Sequence, residues 1–142
     1  MKSSQEILSS LLKTAQMGQT GIRSVRKLSL PEEMHRALTD QLREYDAIEQ
    51  QAQALAAQRG WTLDGLAPIA KTMSAAVTRT QLMGGNQRSK VATMMIQGNT
   101  RGMIKGLKNL HALSQPDASV SRLSGELLRC EEQNIRQMQS FL

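Results

Sequence analysis

Aromatic residues are nearly absent from this chain of 142 residues, which contains one Tyr, one Trp and one Phe. Its core must therefore be built from Leu, Ile, Ala and nine Met, a mixture that suits helices better than strands. A single cysteine, Cys130, excludes an internal disulfide and is consistent with a reducing compartment. There is no run of about 18 apolar residues, and no apolar segment follows Lys2. These absences predict a cytoplasmic protein that does not enter a membrane.

Carboxylates are missing between Asp64 and Asp117, so the excess positive charge lies in one basic block at 71–108. Such a block is either a solvated face or a site for an anionic partner. Within it, Arg101, Lys105 and Lys108 stand at i, i+4 and i+7 of one helix face. The candidate anion-binding residues are therefore Lys90, Arg101, Lys105 and Lys108. No aromatic residue is interleaved for base stacking, which argues against nucleic acid as the partner.

Apolar residues recur at helical spacing along four long stretches separated by turn-forming residues. The sequence predicts long helices at 4–28, 31–59, 86–113 and 117–138, and a shorter crossover helix at 68–83, in one domain covering 1–142. Ser29 is expected to cap the second long helix, and Asp117 or Ser119 the last. Short links within each pair of long helices predict two antiparallel hairpins, so the fold class is an all-α four-helix bundle.

Glycine recurs at i, i+4 and i+8 in the third long helix, at Gly98, Gly102 and Gly106. Each glycine inside a helix costs about 1 kcal/mol relative to alanine, so a stripe of them needs a compensating contact. A helix face without side chains lets a neighbouring backbone approach closely. The stripe therefore predicts a close-packing surface in the interior of the bundle.

Two hairpins, 4–59 and 86–138, joined by a crossover and containing the run MMIQGNTRGMI, resemble the ferritin-like superfamily, in particular small bacterial members of undefined role. Active members of that superfamily hold two metal ions, using Glu from two helices and Glu-x-x-His from the other two. The third helix here has no Asp or Glu and offers only Gln97 or Asn99 at a ligand position. On the fourth helix, Glu131 is followed by Asn134 and not by His. The resemblance thus implies the fold without its di-metal site, and no cofactor is expected.

One Glu-x-x-His motif does occur, at Glu32 and His35. It falls in the first turn of the second helix, where acidic residues are favoured by the helix dipole. The pair is a weak candidate for metal ligation, and an exposed helix start is the alternative interpretation. Cys130 lies on the apolar side of its helix, as a buried, inert thiol would.

These observations favour a non-enzymatic interaction or assembly protein that forms a homodimer and binds no functional di-metal pair. Two alternatives stay open: a metal-binding oxidoreductase or metal store with a displaced site, and a polyanion- or nucleic-acid-binding module that uses the basic block. The expected anchors of a dimer are large apolar residues at chain ends and connections, namely Leu28, Leu30, Trp61, Phe141 and Leu142.

Overall fold

A computed structural model describes residues 2–68, 84–114 and 117–142, which form four long helices. They are α1 (Ser4–Val25), α2 (Glu32–Arg59), α3 (Gln87–His111) and α4 (Ala118–Gln139). Within these ranges all regular structure is helical apart from an isolated bridge between Lys2 and Leu113. The all-α prediction is confirmed, whereas the crossover helix predicted at 68–83 lies outside the described residues except for Pro68. None of the described helices is long and apolar enough to cross a membrane.

Local capping explains where the helices begin and end. Ser3 and Glu6 form a capping box at the start of α1, and the Asp117 carboxylate accepts hydrogen bonds from Ser119 N and Val120 N at the start of α4. Gly60 ends α2 in the left-handed region, with φ +67°. The Ser29 cap predicted for α2 is wrong: the N-cap is Pro31, which makes no side-chain capping bond. Pro31 takes the N-cap position itself, with φ −54° and ψ 144°, so Ser29 lies two residues before the cap.

The four helices enclose one core in the order α1, α2, α4, α3. Every neighbouring pair is antiparallel, since successive contacts run in opposite directions along the two helices of each pair. Side-chain hydrogen bonds fix the register of three of these pairs: Gln19 to Asp46 for α1–α2, Gln41 to Gln137 for α2–α4, and Asn109 to Ser10 for α1–α3. Because α1 is antiparallel to both α2 and α3, these two helices are parallel and lie across a diagonal. The end of α2 at Arg59 and the start of α3 at Gln87 therefore lie at opposite ends of the bundle.

The glycine stripe of α3 has two different environments. A Cβ at Gly106 would lie 3.1 Å from Leu128 Cδ2, and one at Gly102 would overlap the carboxyl group of Glu131. Both glycines thus permit the close approach of α4. At Gly98 no described atom lies within 4 Å of a Cβ position. The expectation of a close contact does not hold there, because Gly98 is exposed and lines an open cavity.

The apolar residues expected to serve as dimer anchors are mostly used within the chain. Leu28, Leu30, Trp61 and Phe141 are half-buried against the core, since the turns that carry them fold across the ends of the bundle. Leu142 remains 56% exposed. The other large apolar side chains with high exposure in the described ranges are Met17, Ile104 and Leu107.

Candidate functional site

A cluster of polar side chains lies in the centre of the bundle, and we call Tyr45, Asn99, Glu131 and Asn134 the central polar cluster. The Tyr45 hydroxyl donates a hydrogen bond of 2.7 Å to Asn99 Oδ1 and accepts one of 3.5 Å from Asn134 Nδ2. The amide of Asn99 donates to the Met95 carbonyl of its own helix at 2.7 Å. These bonds connect α2, α3 and α4, and all three of these side chains are buried. The cluster therefore fixes which faces of the helices meet.

Glu131 is the acidic member of this cluster and is only 1% exposed. Its Oε1 atom has no hydrogen-bond partner in the described part of the chain. The carboxyl group fits against α3 because Gly102 has no side chain there. Burial raises its pKa to about 8, since removal from water disfavours the charged form. At neutral pH the group is therefore mainly a neutral carboxylic acid.

Cys130 and Tyr45 are also held in their neutral forms by burial. The Cys130 thiol donates a hydrogen bond to Glu44 Oε2 at 2.9 Å. Burial first, and then the bonded Glu44 carboxylate, raise the pKa of this thiol far above its usual range. Burial likewise raises the pKa of Tyr45, and Glu131 adds to that effect. The thiolate that a nucleophilic cysteine requires is thus strongly disfavoured here.

A cavity of about 440 Å³ opens between α1 and α3, above the central polar cluster. Its walls are mainly apolar, and glycines from both helices face it. Tyr45, Asn99 and Glu131 form its floor, while basic side chains lie at its edge. The lining residues are Lys13, Thr14, Met17, Gly18, Gly21 and Val25 of α1, Leu66, and Met94, Met95, Gly98, Arg101, Gly102 and Lys105 of α3, besides the floor residues.

The predicted anion-binding residues are brought together only in part. Arg101, Lys105 and Lys108 line a shallow pocket of about 310 Å³, together with Lys2. Lys90 precedes Arg101 by three turns of α3, or about 16 Å along the axis, and does not join them. Lys2, whose ammonium group donates to Asn109 Oδ1 at 2.8 Å, was not identified from the sequence. It reaches α3 only because α1 and α3 are antiparallel neighbours.

The weak metal candidates, Glu32 and His35, lie in the first turn of α2. Glu32 is exposed and accepts a hydrogen bond from Arg36 at 2.9 Å. His35, in the same turn, is half-buried. Across the ranges 2–68, 84–114 and 117–142, no group of three or more His, Cys, Asp or Glu side chains could hold a metal ion.

Sequence reasoning missed the central polar cluster as a unit. The signal was present on α4, where Glu131 and Asn134 continue the face that carries Leu123 and Leu127. A carboxylate on an apolar face, with a glycine-rich helix as its partner, indicates a buried acid. Only the packing of α3 against α4 shows that the glycine is Gly102.

No family model, no curated protein and no solved structure matches this chain. The geometry of the cavity and of the central polar cluster is therefore what a functional proposal has to rest on.

Proposed function

We propose that this chain is a non-enzymatic helical bundle with the ferritin-like arrangement, and that it acts in binding or assembly without di-metal chemistry. The observation that carries the proposal is the composition of the central polar cluster, which contains a single carboxyl group, Glu131. Two antiparallel hairpins with α2 parallel to α3 support the ferritin-like arrangement. They are the topology that a long connection between the second and third helices produces.

The residues of the cluster do not fit a pair of metal ions. Hard and borderline metal ions need several anionic or imidazole ligands that converge at about 2 Å. Besides Glu131, the cluster offers the amides of Asn99 and Asn134 and the phenol of Tyr45, whose raised pKa keeps it neutral. Glu44 on α2 accepts a hydrogen bond from the thiol of Cys130. We therefore derive no reaction step through a metal centre.

Metal analysis tests this proposal directly. Protein purified without an affinity tag is incubated with Fe²⁺ or Mn²⁺, desalted, and analysed for metal by mass spectrometry. We expect well below one metal ion per chain, and the same result for Glu131→Gln. Stoichiometric metal in the wild-type protein that is lost in Glu131→Gln would overturn the proposal, because it would place a metal centre at the cluster.

For the assembly role we propose a homodimer, for which the exposed pair Ile104 and Leu107 on α3 gives the best support. The two side chains are 49% and 44% exposed and lie one turn apart. Light scattering at tens of micromolar measures the mass, and we expect twice the monomer mass of 15.7 kDa. Ile104→Gln should shift that mass toward the monomer, whereas Leu142→Gln serves as an exposed control. A wild-type mass of one chain rejects the dimer.

A second candidate function is the binding of a polyanion by Lys2, Arg101, Lys105 and Lys108. Their convergence around one shallow pocket favours it. Binding of heparin measured at rising salt would support this candidate if affinity fell steeply with salt and if Lys108→Gln reduced the slope. Salt-independent binding, or an unchanged slope in the variant, would exclude it.

A further inference from the structure

The cavity between α1 and α3 is polar at one end and apolar at the other. The hydrogen bond from Asn109 Nδ2 to Ser10 Oγ sets the register of these antiparallel helices. In that register Lys13 lies level with Lys105 and Gly106, while Val25 lies level with Met94. The distance from Lys13 to Val25 along α1 is about 18 Å. An elongated molecule in the cavity would therefore have a basic environment at one end and an apolar one at the other.

Glycines keep this cavity open, and packing among the described residues explains only some of them. Gly18 leaves room for the ring of Tyr45, and Gly102 leaves room for the carboxyl group of Glu131. Gly21 and Gly98 face each other across the cavity, with no described atom within 4 Å of a Cβ position at either. Each costs helix stability of about 1 kcal/mol relative to alanine. No contact in the described residues returns that stability, and the feature they share is the open volume.

The floor of the cavity contains a polar atom that needs a partner. Glu131 lines the cavity, is 1% exposed, and has no hydrogen-bond partner for Oε1 in the described residues. Buried polar atoms are rarely left unpaired, because an unmade hydrogen bond is costly. Gly102, against which Glu131 packs, precedes Lys105 by about 4.5 Å along α3. A hydrogen-bond donor inside the cavity would thus lie close to the basic end.

We propose that this cavity binds a small organic anion with a flat apolar body and an internal N–H or O–H group. The acidic group of this ligand is held by Lys13, Arg101 and Lys105. Its apolar body lies between the glycines of α1 and α3, and its N–H or O–H group donates a hydrogen bond to Glu131. A volume of about 440 Å³ is in the range of small-molecule sites. The proposal goes beyond the absence of a metal centre and does not depend on it.

Three probes of similar shape test the chemistry by isothermal titration calorimetry, in a buffer containing a chelator so that bound metal has no influence. Indole-3-propionate has the acid, the flat body and the N–H group. Tryptamine replaces the acid by an ammonium group, and 3-(1-naphthyl)propionate lacks the N–H group. We expect indole-3-propionate to bind most tightly, tryptamine at least about tenfold more weakly, and the naphthyl acid about threefold to tenfold more weakly.

Variants then place the probe in the cavity. Gly98→Leu fills open volume and should weaken indole-3-propionate at least about tenfold. Gly125→Leu is the matched control on α4, since among the described residues a Cβ at Gly125 would meet only Arg129, at 3.6 Å, and Gly125 does not line the cavity. Lys105→Gln, an exposed change that leaves the core intact, should weaken both acids but not tryptamine. Glu131→Met removes the acceptor, so the indole and naphthyl acids should bind alike.

Circular dichroism establishes that each variant is folded before binding is measured. The proposal is overturned if none of the three probes binds, if tryptamine binds as tightly as the indole acid, or if Gly98→Leu and Gly125→Leu behave alike. Should Gly98→Leu fail to fold, Gly21→Leu on the opposite wall replaces it, with the same expected loss. Binding that follows the expected order while metal analysis shows a metal centre would leave this inference standing and reject only the proposed function.

Discussion

Replacing Gly102 by alanine should destabilise the bundle relative to the same change at Gly98, although both glycines lie on one face of α3. Alanine is favoured over glycine in a helix by about 1 kcal/mol at either position. At Gly98 no described atom opposes the new methyl group, so Gly98→Ala should stabilise the protein by about that amount. At Gly102 the methyl group would lie 2.8 Å from Glu131 Cδ and 2.9 Å from Oε1.

The cost at Gly102 follows from the burial of Glu131. The overlapping atoms are the carboxyl end of a Glu131 side chain that is 1% exposed, so this side chain must leave its packed position and turn toward the cavity that it lines. Overpacking of this kind typically costs about 1–3 kcal/mol. Because the helix-propensity gain cancels between the two alanine variants, the difference between their free energies of unfolding should equal that cost.

Urea unfolding followed by far-ultraviolet circular dichroism measures both variants under identical conditions. The pair is then repeated in a Glu131→Ala background, where the difference should fall close to zero, since the opposing carboxyl group is gone. This double-mutant cycle isolates the contact between positions 102 and 131. Equal stability of Gly98→Ala and Gly102→Ala, within about 0.5 kcal/mol, would show that the carboxyl group makes room at no cost and would refute the expected overpacking.

Two further predictions concern the central polar cluster. Burial raises the pKa of Glu131 from 4.5 to about 8. Between pH 4.5 and 8, the folded chain therefore keeps a proton that the unfolded chain has released. The free energy of unfolding should fall as pH rises through this window, by up to about 1.4 kcal/mol per pH unit. Glu131→Gln should flatten this dependence in urea unfolding from about pH 5 to 8, and an unchanged slope would show that Glu131 is solvated. Tyr45→Phe removes the donor to Asn99 Oδ1 and should cost about 1–3 kcal/mol in the same assay, because the amide oxygen is left unpaired. In a protein that already carries Asn99→Leu, Tyr45→Phe should cost less stability. A Tyr45→Phe protein as stable as the wild type would contradict the hydrogen bond from Tyr45 to Asn99.

The difference between Gly98 and Gly102 shows why a residue pattern predicts a surface better than it predicts a role. The stripe marked a face of α3 without side chains. Two of its members meet α4, whereas Gly98 meets the space between α1 and α3. Whether a glycine of the stripe contacts α4 or faces the cavity depends on the positions of α1 and α4. The spacing of glycines along α3 carries no information about those positions.

Local sequence determined the helices of this protein and most of their ends. Gly60 stops α2 because its φ of +67° suits glycine, and Asp117 starts α4 because its carboxylate reaches the free backbone N–H groups of the first turn. These effects act over a few residues, so they can be recognised in the sequence itself. The absence of carboxylates from α3, where the ferritin-like ligand pattern would require one, is likewise a property of the sequence itself.

Tertiary structure alone decided what lies at the centre of the bundle. Three different helices supply Tyr45, Asn99 and Asn134. These side chains meet because the α1–α2 and α3–α4 hairpins pack in one register. Packing also turned Glu131 from an acid on an amphipathic helix into a buried neutral carboxyl group, since its pKa depends on the water that α3 excludes. Interactions within a helix set where it begins and ends, but contacts between distant segments set the protonation and the partners of a side chain.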